Sequence, residues 1–151
     1  MLADLLFPEI KETIADLEKK YPKRPDWQIV TRIAPSPTWF VHIWTVYTTI
    51  VDDVIAHKKD NWVCMLRLED TDQLREVEWA KQKIPDILQQ FWLRFEEWPI
   101  GPNLQEIGNY WPYIQSEREY IYKVFIKEFV KRWLAYPCFM TEEELAQIRE
   151  E

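Results

Sequence analysis

The sequence predicts an α/β fold with parallel strands, and three segments in its first half support this prediction. Residues 28–34 are rich in β-branched side chains and stop at Pro35, which is typical of a strand that ends in a loop. Residues 42–57 have the length of a helix, and residues 63–68 form a second apolar, strand-like run. A strand, a helix and a second strand within about forty residues are typical of a βαβ unit, whose two strands are parallel.

Length and composition fit one globular domain. The chain has 151 residues, of which 47% are hydrophobic and 30% charged, so it can bury a core. Its formal net charge of -7 excludes a whole-chain basic field, so any nucleic acid must meet a local patch. Two separated cysteines, Cys64 and Cys138, match neither a disulfide framework nor a paired-cysteine zinc site. Because we find no signal peptide and no apolar run of membrane-spanning length, we expect a cytoplasmic protein without a membrane partner.

Helices are predicted on both sides of the βαβ unit. Residues 9–20 carry apolar side chains at helical spacing and lead into residues 21–25, whose two prolines indicate an exposed linker. Residues 74–91 repeat the helical pattern around Pro85, so we expect a kink or two short helices there. The residues at 97–112 are rich in proline, asparagine and glycine and predict a long loop.

Two capping-box patterns predict helix starts in the last third of the chain. Ser116 is followed three positions later by Glu119, and apolar residues continue at helical spacing to Val130. We therefore expect a helix that Ser116 caps. Thr141 and Glu144 repeat the pattern before a final acidic helix.

The loops that follow the two strands carry the motifs with chemical potential. In an open parallel sheet, ligands bind beyond the carboxyl ends of the strands, which here means residues 34–42 and 69–72. Both loops should therefore meet at one crevice. Four blocks stand out: Arg-Ile-Ala-Pro-Ser-Pro-Thr-Trp-Phe-Val-His-Ile-Trp at 32–44, Arg-Leu-Glu-Asp-Thr-Asp at 67–72, Tyr-Ile-Gln-Ser-Glu-Arg at 113–118 and Ala-Tyr-Pro-Cys-Phe at 135–139.

This series of blocks resembles the glutamyl-tRNA synthetase signature, in which APSPTG is followed by the HIGH motif of class I aminoacyl-tRNA synthetases. The resemblance implies the first half of a Rossmann-like parallel nucleotide-binding fold, with an N-terminal helical extension and the start of an inserted α+β acceptor-binding subdomain. It divides the chain into an extension and linker at 1–27, a catalytic half at 28–112 and a truncated segment of the inserted subdomain at 113–151.

The resemblance implies an aminoacyl-tRNA ligase that activates glutamate with ATP and Mg²⁺ and transfers the glutamyl group to tRNA(Glu). Glutamate, ATP and tRNA(Glu) are the expected partners of a monomeric protein. Since the KMSKS half of the nucleotide fold is not among the blocks, we expect this chain to be an incomplete, inactive fragment. Some family members bind zinc through Cys-x-Cys, but Met140 replaces the second thiolate after Cys138, so no zinc is expected.

Roles in glutamate binding follow from the resemblance, residue by residue. Arg32 is expected to pair with a substrate carboxylate, while Ala34 and Ser36 line the amino-acid pocket. Glu69 is expected to receive the ammonium group. A planar guanidinium can hold a carboxylate through two bonds, and an ionised glutamate accepts from an ammonium. The alternative for Arg32 and Glu69 is an ion pair across neighbouring strand ends.

Roles in ATP binding follow in the same way. His42 matches the first histidine of the HIGH motif and is the expected catalytic residue, which stabilises charge on the ATP phosphates at a helix N-terminus. Pro37, Thr38 and Trp44 are the further expected ATP contacts. Because the HIGH-motif glycine leaves room for adenine, we expect the indole of Trp44 to block the ATP site.

Tryptophan stands at many positions where the family pattern leads us to expect glycine. The nine tryptophans and two glycines together match the glycine number that an average content of about 7% predicts. Trp92 and Trp133 follow helical runs at C′ positions that favour positive φ, and Asn61-Trp62 stands where Asn-Gly would form a turn. We therefore hypothesise that UGA encodes glycine in the underlying gene. The expected positions are Trp39, Trp44, Trp62, Trp79, Trp92, Trp98, Trp111 and Trp133, and Trp27 is interpreted in the same way.

Three alternatives to this function stay open. Two are related enzymes, a paralogue that glutamylates a modified tRNA base and a glutaminyl-tRNA synthetase. The Ala-Pro-Ser-Pro run at 34–37 favours the glutamyl type, and the missing Cys-x-Cys and the extra N-terminal helix weaken the paralogue. The third is a non-catalytic nucleotide-fold module that binds only tRNA or a protein, which the acidic composition permits.

Overall fold

A computed structural model describes residues 2–38, 41–59, 62–72, 74–75, 77–101 and 103–150. Six α-helices, four strands and one short 3-10 turn are assigned in these ranges. In chain order they are α1 (Leu2–Leu6), α2 (Ile14–Lys20), β1 (Val30–Ile33), α3 (Ile43–Ala56), β2 (Val63–Leu66), α4 (Glu78–Gln90), β3 (Trp98–Ile100), β4 (Gln105–Ile107), the 3-10 turn (Ser116–Arg118), α5 (Glu119–Lys131) and α6 (Glu142–Glu150).

The predicted parallel βαβ unit is confirmed. Strands β1 and β2 pair in parallel, with a register that runs from Val30 opposite Val63 to Ile33 opposite Leu66. Helix α3 connects the two strands and packs against both of them. Its many β-branched residues are poor helix formers, so packing of its buried face against the sheet stabilises it.

Two later segments extend the sheet beyond β2. Parallel bridges join Met65 to Glu97 and Leu68 to Ile114. The Leu68 amide donates to the Tyr113 carbonyl, and the carbonyl of Leu68 accepts from the Gln115 amide, both across 2.9 Å. Main-chain hydrogen bonds therefore continue beyond the end of β2 at Leu66 and also hold Leu68.

The main core lies between the sheet, α3 and α4. Leu66, Leu68 and Leu88 have no exposed surface, and Trp98 is only 5% exposed. Removal of this apolar surface from water is the chief stabilising contribution. The core cluster consists of Val46, Leu66, Leu68, Ile84, Leu88, Leu93, Trp98 and Ile114.

The N-terminal helices pack on α5 and form a second, smaller cluster. Its buried members are Ile10, Leu17 and Val124. The Lys127 ammonium on α5 donates to the carbonyl oxygens of Phe7 and Ile10 at 3.1 and 2.7 Å. These bonds satisfy carbonyl groups that have no strand partner and fasten the extension to α5.

Two of the predicted helix starts are wrong, and one is confirmed. The first regular helix with a capping box begins at Ile14 rather than at residue 9, because Thr13 and Asp16 exchange capping hydrogen bonds. Ser116 does not cap a helix, since its hydroxyl donates to Asp70 across 2.6 Å and the chain forms a 3-10 turn first. Thr141 does form the predicted capping box with Glu144.

Two further expectations concern the fourth helix and the segment after it. For residues 74–91, two short helices are wrong, because α4 is a single helix with a fully buried Pro85 inside it, and a kink at Pro85 stays a prediction. The expected loop at 97–112 contains an antiparallel hairpin of β3 and β4. Its strands are only three residues long, which is too short for a recognisable strand pattern, and the prolines and glycines around them are typical of a loop.

The predicted positive φ at the two C′ tryptophans is confirmed. Trp92 follows the C-cap Phe91 of α4 with φ 58°, and Trp133 follows the C-cap Arg132 of α5 with φ 59°. Trp98, by contrast, is a buried strand residue that packs on Phe95. Trp39 and Asn61 lie outside the described residues.

None of the helices in the described ranges combines the length and apolarity needed to cross a bilayer.

Candidate functional site

The loops that follow β1 and β2 meet beyond the ends of these strands, as the sequence predicts. The Arg67 amide donates to the Ile33 carbonyl at 3.0 Å, and the Glu69 amide donates to the Pro35 carbonyl at 2.9 Å. The Pro37 carbonyl accepts from the Val77 amide at 2.9 Å, just before α4. These bonds fix the first loop between the second loop and α4.

Arg32 and Glu69 form an ion pair in this crevice. Arg32 Nη1 lies 2.8 Å from Glu69 Oε1, and Arg67 Nη2 lies 3.0 Å from the same oxygen. Partial burial raises the pKa of Glu69, but the Arg67 and Arg32 guanidiniums outweigh it and lower this pKa from its ordinary value. Glu69 is therefore an ionised acceptor that solvent can still reach.

A cavity of about 230 Å³ lies beside the first loop, at the start of α3. The predicted residues Ser36, Thr38 and His42 line it. Ile84 of α4 contributes an apolar wall, which no sequence pattern indicated. The lining thus combines hydroxyl and imidazole groups with aliphatic side chains. The described residues that line the cavity are Pro35, Ser36, Thr38, Val41, His42, Thr45 and Ile84.

Five predicted site residues are not among the described residues that line this cavity: Arg32 and Glu69, which pair with each other, and Ala34, Pro37 and Trp44. Ala34 is half-buried at the start of the loop, and Pro37 is fully buried. Trp44 is 70% exposed and stacks on Tyr47, with ring centroids 5.5 Å apart. Whether its indole excludes adenine stays a prediction.

His42 occupies the N-cap position of α3. Its backbone is extended, with φ -75° and ψ 152°, and its side chain makes no capping hydrogen bond. The first intrahelical bond runs from the Val46 amide to the His42 carbonyl. The amides of the first turn lack intrahelical acceptors, so an anion can bind there with the favourable helix dipole.

Sequence analysis missed a buried ionic cluster next to Glu69. Asp70 is 1% exposed and accepts hydrogen bonds from the Ser116 amide and hydroxyl, while Lys81 Nζ lies 2.7 Å from its Oδ2. Burial raises the pKa of Asp70, but Lys81 and Ser116 together lower it below its ordinary value. Asp70 belongs to the 67–72 motif, whereas Lys81 is one of several charged residues on α4 and had no distinguishing signal.

Metal ligands are not clustered in the part of the chain that the structure describes. No group of three or more His, Cys, Asp or Glu side chains there could hold an ion. Cys64 is buried in β2, and burial raises the pKa of its thiol to about 12. Cys138 is exposed. The expectation that the protein binds no zinc stays a prediction.

Residues 28–151 match the family model described as tRNA synthetases class I (E and Q), catalytic domain. The chain belongs to this family. The matched range begins just before β1 and leaves out α1 and α2, and the expected boundary of the extension at residue 27 stays a prediction.

Similar proteins agree with this class I synthetase assignment. The chain is 44% identical to a glutamate–tRNA ligase of Clostridium perfringens over 151 residues, which is 99% of this chain and 27% of that protein. It is also 44% identical to a glutamate–tRNA ligase of Acetivibrio thermocellus, with 99% of this chain and 28% of that protein covered. The chain therefore spans about a quarter of the length of these relatives.

A solved structure has the same fold. The crystal structure of a glutamate tRNA ligase from Elizabethkingia meningosepticum, in complex with its amino acid, matches with a TM-score of 0.66 and 34% identity. The match covers 82% of this chain and 23% of that chain. The mixed α/β fold of this class I synthetase segment, with its parallel β1–β2 pair, is thus the Rossmann-like fold that the sequence predicted.

Proposed function

We propose that this chain forms the amino-acid-binding part and the first half of the ATP site of a glutamate–tRNA ligase. A complete protein that contains it would join the α-carboxylate of glutamate to the α-phosphate of ATP and release pyrophosphate. The glutamyl group would then pass to the 3′ end of tRNA(Glu), with release of AMP. The observation that carries this proposal is the Arg32–Glu69 ion pair, which joins β1 to the loop that follows β2.

Glutamate carries both charges that this pair can bind. The Arg32 guanidinium can donate two hydrogen bonds to a carboxylate, and the Glu69 carboxylate can accept from the ammonium group. Each group is partly exposed, at 39% for Arg32 and 33% for Glu69, so a small zwitterion can reach both. Ala34 and Ser36 follow β1 directly and would border the amino acid.

The N-terminus of α3 would hold the ATP phosphates. Free amides of its first turn, the helix dipole and the His42 imidazole all favour negative charge at this point. Charge that develops on the phosphates in the transition state is stabilised most effectively by such prearranged groups. Pro37 would set the backbone of the loop and Thr38 would offer a hydroxyl from the cavity wall. Mg²⁺ would enter with ATP, since this ion binds chiefly to phosphates and water.

Pyrophosphate exchange tests this proposal. A complete protein that contains this segment, with tRNA(Glu) present, should exchange pyrophosphate into ATP when glutamate is added. Exchange that depends on glutamine instead would assign the glutaminyl enzyme, which the same family model includes. If neither glutamate nor glutamine supports pyrophosphate exchange, the result would favour a module that binds tRNA or protein without catalysis.

ATP titration by calorimetry tests the role of Trp44 in the present chain. If the indole occupies the adenine position, the Trp44→Gly variant should bind ATP more tightly than the chain as written. Circular dichroism of both proteins checks that they fold. Equal binding by the two folded proteins would contradict the expected obstruction by Trp44.

A further inference from the structure

Asp70 is the most fully satisfied carboxylate in the described part of the crevice, and it directly follows Glu69. Its Oδ1 accepts the Ser116 amide at 2.8 Å. Its Oδ2 accepts the Ser116 hydroxyl at 2.6 Å and lies 2.7 Å from Lys81 Nζ. An ionised carboxylate that is 1% exposed needs such partners, because removal of a charge from water is costly.

The partners of Asp70 come from two different parts of the fold. Lys81 projects from α4, and its side chain is 21% exposed. Ser116 begins the 3-10 turn that leads into α5, 46 residues further along the chain. The Asp70 carboxylate therefore connects the loop after β2 to α4 and to the 3-10 turn before α5.

This attachment fixes the backbone of Glu69 from both sides. On one side its amide donates to the Pro35 carbonyl at 2.9 Å. On the other side the next residue is anchored through its buried side chain. The bonds that Arg32 and Arg67 make to Glu69 are to its carboxylate and do not hold its main chain.

We propose that Asp70, Lys81 and Ser116 are positioning residues that hold the Glu69 carboxylate where the ammonium group of the amino-acid substrate binds. The assignment rests on the proposed function for the substrate's identity. The anchoring itself is a property of the free chain and can be measured without any ligand.

The test follows Glu69 by NMR in the present chain and in four variants. Lys81→Met removes the cation and Ser116→Ala removes only the hydroxyl. Lys81→Arg retains the charge and serves as the conservative rescue. Lys127→Met is the matched control, because Lys127 is also a well-buried lysine, 12% exposed, but it anchors the N-terminal extension. Two quantities are recorded, the amide exchange rate of Glu69 and the pH titration of its ¹³C-labelled carboxyl group.

Lys81→Met and Ser116→Ala should each speed exchange of the Glu69 amide by about tenfold. They should also raise the pKa of Glu69 toward its ordinary value, because the carboxylate is no longer held close to Arg32 and Arg67. Lys81→Arg should restore both quantities, and Lys127→Met should change neither. Unchanged exchange and titration in folded Lys81→Met and Ser116→Ala would overturn the proposal, as would an equal effect of Lys127→Met. If Lys81→Met does not fold, Ser116→Ala decides alone.

A glutamate titration separates this proposal from the proposed function. The parent chain could fail to bind glutamate while Lys81→Met and Ser116→Ala still change the exchange and titration of Glu69. In that case the substrate assignment fails and the positioning role of Asp70, Lys81 and Ser116 is retained. If glutamate binds with the same affinity to the parent and to Ser116→Ala, the positioning role fails and the substrate assignment stands.

Discussion

Arg32 Nη1 lies 2.8 Å from Glu69 Oε1, so the two groups proposed to bind a carboxylate and the ammonium group of glutamate bind each other in the free chain. Each is then neutralised without ligand, and partial exposure lets solvent screen the pair. When glutamate binds, the Arg32–Glu69 ion pair is replaced by two ion pairs, one between Arg32 and a substrate carboxylate and one between Glu69 and the substrate ammonium group. The free site thus stays arranged without a buried unpaired charge.

The Glu69 pair should make stability depend on pH in the acid range. Because the folded state lowers the pKa of Glu69, its contribution is complete above the unfolded pKa and is lost as pH falls through the folded value. Urea denaturation across acid pH should therefore show a flatter loss of stability for Glu69→Gln than for the parent. Parallel curves for the two proteins would exclude this contribution.

His57 should produce the opposite dependence near neutral pH. Burial lowers the pKa of His57, but the Glu96 carboxylate, 2.9 Å from Nε2, and the Asp53 carbonyl outweigh it and raise this pKa. The resulting stability is complete below the unfolded pKa and is lost as pH rises through the folded value. Denaturation series should show this decline. Glu96→Gln is the control, since it keeps an acceptor but removes the charge, and it should weaken the dependence.

Glycine at the two C′ positions should stabilise the chain. Trp92 and Trp133 adopt φ 58° and 59° with side chains 88% and 82% exposed, so their indoles bury little and their backbones are strained. Trp92→Gly and Trp133→Gly should each raise the free energy of unfolding by about 1 kcal/mol. Trp79→Gly, within α4, relieves no positive φ and should not stabilise. A loss of stability in both C′ variants would contradict the glycine hypothesis.

The core between sheet and helices should be sensitive to truncation at Leu88. This α4 side chain has no exposed surface, so Leu88→Ala should cost about 2–5 kcal/mol of unfolding free energy. Leu74→Ala is the control, because Leu74 is 100% exposed and its truncation should cost less than about 0.5 kcal/mol. Similar losses in the two variants would show that Leu88 does not pack as described.

Local patterns predicted the part of the fold that local physics controls. The β-branched residues before Pro35 and the apolar run at 63–68 suffice for β1 and β2, and parallel pairing follows from the helix between them. The positive φ at Trp92 follows from its place after a helical run.

The predictions that failed concern residues whose structure depends on contacts with residues far away in the sequence. Ser116 has the local pattern of a helix cap, but its hydroxyl bonds to Asp70, 46 residues away. Lys81 had no signal, because only the folded chain shows which charged residue of α4 meets a buried carboxylate. The β3–β4 hairpin was hidden by short strands, and packing of Trp98 in the core stabilises it.

The most direct test of the account is an NMR titration of the present chain with L-glutamate, with glutarate as the comparison. Glutarate keeps both carboxylates and lacks the ammonium group that Glu69 is proposed to bind. If Arg32 and Glu69 bind the amino acid, L-glutamate should cause saturable shifts at both residues and glutarate should bind clearly more weakly. Equal binding of the two compounds, or no shift at Arg32 and Glu69 with L-glutamate, would contradict it.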